Sequence, residues 1–356
     1  MSRPPYKKRL VSARRIRRDV ERFAKSSREQ PTRAPAALVS VCIVNYNNQG
    51  LLARCLASVF EASKEVSLEV LVADNGSTDD SVAWLKRAHP NVRLFENVGN
   101  IGFGAASNQL IRASSGEHLL LLNNDCVLSP DCLQQLLLCQ ASESSIGITG
   151  CRVLTGNNFL QPTCDSIGPL GFLLPNLRKV MDSHFLSFGL PGKSQIARMR
   201  RYEIRHGYNR VHEADFVAGV CMMIRRAVFH SIGELDENFF LYYEDVDYCL
   251  RARQAGWKVV YTPLGTASHF VQSKAKKNYP DRVRMESWWS AYYFVRKHYG
   301  RSWASALFLR YLLQSITGLL WQGFRLSISP GWQWKALGRI WRHSHKVVSA
   351  RMNNAY

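Results

Sequence analysis

The chain has 356 residues, 46% hydrophobic and 21% charged, a globular balance that excludes wholesale disorder, a collagen-like fibre and a small disulfide scaffold. Its formal charge is +20, but residues 1–37 carry +9, residues 271–356 carry +13 and residues 38–270 carry −2. A nucleic-acid-reading body would itself be basic, so this distribution speaks against a nucleic-acid partner and for a near-neutral body held at an anionic surface.

In residues 1–37, Val11, Ile16, Val20 and Phe23 recur at helical spacing among arginines, which fits a short surface-lying helix or a solvated basic arm. No stretch there is apolar enough for a signal peptide, and Pro31 and Pro35 close the segment. The run L-V-S-V-C-I-V at 38–44 predicts a buried strand, broken by Asn45, Tyr46, Asn47, Asn48 and Gly50. Helical spacing over 51–62, a strand over 68–73, a helix over 81–88, a strand over 92–95, a helix over 104–114 and a strand over 118–122 continue the alternation. That pattern predicts a parallel, doubly wound sheet, which binds ligands at the carboxyl ends of its strands.

The polar clusters fall at those ends: Asn45 and Tyr46, then Asp74 and Asn75, then Asn100, then Asn123, Asn124 and Asp125. Each alone is ordinary turn chemistry. An acid closing a fully apolar strand, as Asp74 and Asp125 do, is costly without a ligand or hydrogen-bond partner. Neither G-x-x-x-x-G-K-[ST] nor a G-x-G-x-x-G directly after a strand occurs around Gly99, Gly102 and Gly104, which speaks against an NTPase or a dehydrogenase. A diphosphate held without such a loop needs other neutralisation, which one acid and a divalent cation would supply.

Residues 151–213 are weakly periodic. From 216 to 226 a buried strand is expected, then a short helix to Gly233, then a helix that Gly256 ends. Glu244, Asp245 and Asp247 open that last helix, where acids suit the macrodipole. Capping needs only one of them, and the flanking Phe239, Phe240, Tyr242 and Tyr243 make an apolar wall that can tune a base. Asp247 is also placed to pair with Arg251 one turn on. His269 follows a strand at 259–262 and reads as readily as a structural residue as a ligand.

The nine cysteines show no metal-ligand spacing and read as reduced thiols filling core space. No apolar run of about 18 residues occurs; the nearest, 303–324, is broken by Arg310, Gln314 and Gln322. Between Trp288 and Trp341, aromatic and aliphatic residues interleave with Arg and Lys, and Arg310, Gln314, Thr317 and Arg325 lie near one helical stripe. The segment fits a helix lying in a membrane interface or a helical subdomain packed on the body.

V-S-V-C-I-V-N-Y-N (39–47), V-A-D-N-G-S-T-D-D-S (72–81), E-N-V-G-N-I-G-F-G-A-A-S-N (96–108), L-L-L-N-N-D (120–125), F-V-A-G-V-C-M-M-I-R (216–225) and F-L-Y-Y-E-D-V-D-Y-C-L-R-A-R-Q-A-G-W (240–257) together resemble the family 2 glycosyltransferases of the GT-A fold, in their bacterial rhamnosyltransferase-like branch. The resemblance covers residues 38–272, between a basic segment at 1–37 and a basic, aromatic, helical region at 273–356. It implies a doubly wound mixed sheet flanked by helices, and an inverting transferase that uses a nucleotide-diphosphate sugar with Mg²⁺ or Mn²⁺. Asn45, Tyr46, Asp74, Asn75, Asn100, Gly102 and Asn124 would line the nucleotide-sugar site. Asp125, the final acid of a D-x-D motif that here reads N-N-D, would hold the metal with His269. Asp245 would be the base, beside Glu244. The donor sugar would be a deoxyhexose such as rhamnose and the acceptor a saccharide or polyprenyl-diphosphate-linked glycan of cell-surface polysaccharide synthesis. The enzyme would then be cytoplasmic, peripheral on the inner face of the plasma membrane. A sugar nucleotidyltransferase, or a basic non-catalytic binding protein, is the alternative; the former's usual lysine-containing N-terminal loop has no counterpart at 45–50.

Overall fold

Apolar runs with no polar face are explained by a sheet covered on both sides. A computed structural model describes residues 38–63, 66–165, 206–270, 280–323 and 331–352; the expectations for residues 1–37 and for Arg325 lie outside the described residues, as does the side chain of Thr317. In Val39–Asn45 (β1), Val39, Val41 and Ile43 enter one apolar cluster while Cys42 enters the opposite one, as the alternation of side chains along a strand requires. With Gln49–Ala62 (α1), Leu68–Asp74 (β2), Ser81–Ala88 (α2), Arg93–Glu96 (β3), Phe103–Ala113 (α3) and His118–Asn123 (β4), it builds a parallel unit in the order β3-β2-β1-β4. Leu52, Leu56 and Val59 of α1 and Leu85 of α2 cover one face; Ala106, Leu110 and Ile111 of α3 cover the other.

The second half makes the sheet mixed. Cys126–Leu128 (β5), Cys132–Ala141 (α4) and Ile146–Thr155 (β6) follow, then the short strands Cys164–Asp165 (β7), His212–Glu213 (β8) and Phe216–Val217 (β9), then Cys221–Arg225 (β10), Arg226–Ile232 (α5), Glu244–Gln254 (α6) and Lys258–His269 (β11). β10 lies antiparallel between β4 and β6. β11 runs parallel to β6, and its end pairs antiparallel with β5, so that His269 faces Cys126 in register.

Two expected strands change shape. The run 216–226 is two strands, β9 and β10, parted by a turn at 218–220, and the strand expected at 259–262 continues to His269 through an irregularity between Thr262 and Thr266. All nine cysteines are buried and free, as their spacing implied.

Pro280–Tyr299 (α7), Arg301–Gly323 (α8) and Gly331–Met352 (α9) complete the described chain. Phe294, Leu307, Tyr311, Leu337 and Ile340 share an apolar cluster with Phe239 and Val246, so these helices pack on the body. Leu309, Leu313 and Ile316 of α8 and Trp334 and Trp341 of α9 nevertheless stay exposed. No helix among the described residues is long and apolar enough to cross a membrane.

One buried acid ties α6 to α7. Asp247, 0% exposed, accepts from Arg251 Nε at 2.8 Å, from Lys297 Nζ at 2.7 Å and from His298 Nε2 at 2.7 Å. Burial works against its charge, but hydrogen bonds from His298 and Lys297 and the Arg251 pairing hold its carboxyl at about 2. Because this value lies below the unfolded one, the contribution is complete above about pH 4 and is lost as pH falls toward 2. Removing one partner of a buried pair costs about 3–5 kcal/mol, so Asp247→Asn is expected to lower the unfolding free energy measured by urea denaturation at pH 7 by an amount of that order. Asp281→Asn, whose side chain is 62% exposed, should shift stability by no more than about 0.5 kcal/mol.

Candidate active site

The parallel strands end together and deliver their polar residues to one crevice. Asn45 and Asp74 are register partners at the ends of β1 and β2, both buried. Asn45 Nδ2 donates to Asp74 Oδ2 at 2.8 Å, and Asn124 Nδ2 donates to Asn45 Oδ1 at 2.7 Å. Asp74 also accepts from Ser77 N–H at 2.7 Å and from the Ser77 hydroxyl at 2.6 Å. Three strand ends are thereby knitted into one polar floor. Tyr46 is half-buried beside it.

A second network shapes the rim. Asn75 Nδ2 donates to Gly102 O at 3.2 Å and to Asn100 Oδ1 at 3.3 Å, and Asn100 Oδ1 accepts from Gly102 N–H at 3.0 Å. Gly102 has φ 92°, and a Cβ there would lie 2.8 Å from Phe240 O. The 97–102 loop is thus seated directly on the segment that leads to the acids of α6.

Asp125 follows β4 and is buried. His269 Nε2 lies 3.0 Å from its Oδ1, yet that oxygen has no hydrogen-bond partner. The other ring nitrogen, Nδ1, sits 2.9 Å from Gln161 Oε1. Donation by Nδ1–H to that oxygen leaves Nε2 with a lone pair turned toward the carboxylate. In that tautomer Asp125 Oδ1 and His269 Nε2 are both free to ligate one cation. The donor set of one carboxylate and one imidazole suits a divalent cation that takes its remaining ligands from diphosphate and water. Cys126 Sγ lies within 4.8 Å of both, but burial pushes its thiol up and its S–H points to Val220 O at 3.6 Å. A protonated thiol is no ligand for a hard cation.

Asp245 stands in the first turn of α6 after two residues in left-handed backbone, Tyr242 (φ 68°) and Tyr243 (φ 71°), a conformation that costs a non-glycine residue about 1–2 kcal/mol each. Gly219 N–H donates to its Oδ2 at 2.7 Å and Val246 N–H to its Oδ1 at 2.8 Å. Burial raises the Asp245 carboxyl above the usual carboxylate range, and these N–H groups oppose the rise by stabilising the anion. Glu244 is raised further, by burial and by the charge of Asp245, and its Oε2 has no partner. Of the two acids, Asp245 is the one whose anion backbone donors favour. It also lines a cavity of about 540 Å³, which Glu244 does not.

The turn between β9 and β10 connects the two centres. Val220 O accepts Asn123 N–H at 3.0 Å, while Gly219 N–H holds Asp245. Asp247 instead faces α7, in the ion-pair network described above. Three contributors were not singled out from the sequence. Ser77 lies within a quoted motif, Gly219 is hidden in an apolar run, and Gln161 falls in the weakly periodic stretch where no periodic signal marks it.

Residues 40–233 match the family model described as glycosyl transferase family 2. The chain is 28% identical over 243 residues, covering 65% of it and 76% of the relative, to an N-acetylglucosaminyl-diphospho-decaprenol L-rhamnosyltransferase of Mycobacterium tuberculosis. It is 27% identical over 266 residues, covering 73% and 74%, to the low-salt glycan biosynthesis hexosyltransferase Agl10 of Haloferax volcanii. Among solved structures it is similar, at TM-score 0.49 and 16% identity over 90% of this chain and 91% of the other, to a mannosyltransferase of Pyrobaculum calidifontis in complex with GDP-Man and Mn²⁺.

Gly102 offers a direct check on the rim. Gly102→Ala places a Cβ against Phe240 O in a backbone conformation that disfavours it, so thermal unfolding should show a loss of at least about 1 kcal/mol.

Proposed function

Because the chain belongs to glycosyl transferase family 2, we propose that it is an inverting, Mg²⁺- or Mn²⁺-dependent enzyme that moves a sugar, a deoxyhexose such as rhamnose, from a nucleoside-diphosphate donor to a polyprenyl-diphosphate-linked saccharide of cell-surface polysaccharide synthesis. The observation that carries this reading is that one turn, 218–220, bonds both to Asn123, two residues before Asp125, through Val220 O and to the Asp245 carboxylate through Gly219 N–H. The relatives' named activities agree with the donor and acceptor classes.

In this mechanism the donor lies across the strand ends. Asn45, Asp74 and Asn124 position the nucleoside, with Tyr46 beside them, and Asn75, Asn100 and Gly102 shape the wall along which it lies. Asp125 and His269 hold the cation, which when bound supplies positive charge to the departing diphosphate. The acceptor hydroxyl approaches the anomeric carbon from the side opposite the diphosphate. As the new carbon–oxygen bond forms, the bond to the diphosphate oxygen breaks and its electron pair leaves with the diphosphate. Asp245 takes the hydroxyl proton. A single displacement inverts the anomeric centre, and Glu244 remains a protonated neighbour. Sharing the proton-accepting role between them is unnecessary, since backbone N–H groups select Asp245 as the anion.

The C-terminal helices supply the membrane side of the proposal. Leu309, Leu313 and Ile316 recur along one face of α8, Trp334 and Trp341 expose indoles on α9, and residues 271–356 carry +13. Apolar and aromatic groups set in a cationic region suit the interface of an anionic bilayer, placing the enzyme peripherally on the inner face of the plasma membrane. Leu309→Glu with Leu313→Glu should abolish co-sedimentation with phosphatidylglycerol-containing vesicles while leaving the unfolding temperature within a few degrees; retention on vesicles would remove this part of the proposal.

For the chemistry, a panel of sugar nucleotides should raise the unfolding temperature only with Mg²⁺ or Mn²⁺ present, and Asp125→Ala should erase that protection. Asp245→Asn should keep it yet lose about 10²–10⁴-fold in kcat. The acid limb of kcat/KM should lie above the ordinary carboxylate range, because the base must lose its proton and its carboxyl is raised. Unchanged turnover in Asp245→Asn eliminates the assigned base.

A further inference from the structure

The cavity beside Asp245 has a volume of about 540 Å³, within the roughly 300–1,000 Å³ of small-molecule sites. Tyr242 and Tyr243 form one wall, and α7 forms the facing one with Arg284, Ser287 and Trp288. Resting on the transferase reading, we propose that this cavity is the acceptor subsite and that α7 makes it selective: Trp288 and Tyr243 pack on the faces of the acceptor's sugar, Arg284 pairs with the diphosphate joined to it, and the reacting hydroxyl meets Asp245.

Four observations carry this. The lining is mostly aromatic and apolar with a few convergent polar groups, the composition of a site that holds a ligand by its apolar faces and orients it by its polar ones. Its single cationic side chain among these is a guanidinium, which matches phosphate oxygens in a bidentate way. The wall is held in place from behind: Trp288 stacks on Tyr311 with centroids 4.1 Å apart and planes 5° apart, and Ser290 donates to Leu241 O at 2.8 Å. Asp245 and Arg284 line this cavity while Asp125 and His269 do not, which places Arg284 with the proposed base and not with the proposed cation site.

The test uses the full-length protein, a protecting sugar nucleotide, and two acceptors: GlcNAc on a short prenyl diphosphate, and the same sugar as an uncharged alkyl glycoside. Arg284→Ala is expected to raise the KM for the diphosphate acceptor by about 10- to 100-fold, the range of a lost charged hydrogen bond, with KM for the glycoside and thermal protection by the donor unchanged. Arg284→Lys should recover part of the loss. Trp288→Ala should raise KM for both acceptors, and Trp288→Phe, which keeps an aromatic ring on Tyr311, should do so less. If Arg284→Ala leaves both KM values alone, or raises them equally, the inference is overturned. It is overturned too if wild-type protein is protected by donor but transfers to neither acceptor, a result that leaves the donor site standing. Absence of protection by every sugar nucleotide instead removes the transferase reading itself.

Discussion

The three-residue turn at 218–220 holds the candidate site together, because its backbone bonds at once to the end of β4 and to the first turn of α6. Its carbonyl at Val220 receives the amide of Asn123, the last residue of β4 and two before Asp125, and its amide at Gly219 reaches the carboxylate of Asp245 at 2.7 Å. A charged group removed from water is stable only where donors replace the lost solvent. The Gly219 amide provides that replacement for one acid while its neighbour fixes the strand that presents the other.

The same electrostatic logic separates three acids within four residues. Asp247 is surrounded by Arg251, Lys297 and His298 and stays ionised in full burial. Glu244 has no donor at Oε2 and sits beside a like charge, so its proton is retained. Asp245 lies between these extremes, with burial raising it and backbone donors restraining the rise. Neighbours, and not residue type, give the three acids of this helix start three different electrostatic settings.

What the sequence shows of this arrangement follows from periodicity. The first four parallel strands are legible because both faces are covered and the runs are uniformly apolar, and the polar residues that end them mark the crevice without help from any partner. The apolar run at 216–226 hides its break, since Gly219 bends the chain for the sake of Asp245, a contact 26 residues away. Gln161, which orients His269, lies 108 residues from it, and no local pattern records such a pairing. β5, α4 and β6 follow Asp125 without the regular spacing that the preceding units have. In the C-terminal helices the aromatic residues fit burial and exposure equally well on spacing alone. The structure divides them, burying Phe294, Leu307 and Tyr311 and leaving Leu309, Leu313 and Ile316 uncovered.

The buried bonds of Asp247 to Lys297 and His298 have a bearing on how such a protein can be recombined. A chimera joined between β11 and α7 would keep the whole mixed sheet yet pair the aspartate with a foreign helix. Unless that helix brings its own cations to the same places, the hybrid keeps Arg251 beside this interior charge but loses the partners that Lys297 and His298 supply. Parts that look exchangeable along the chain are therefore matched sets, and drift on one side of that seam restricts what the other side can become.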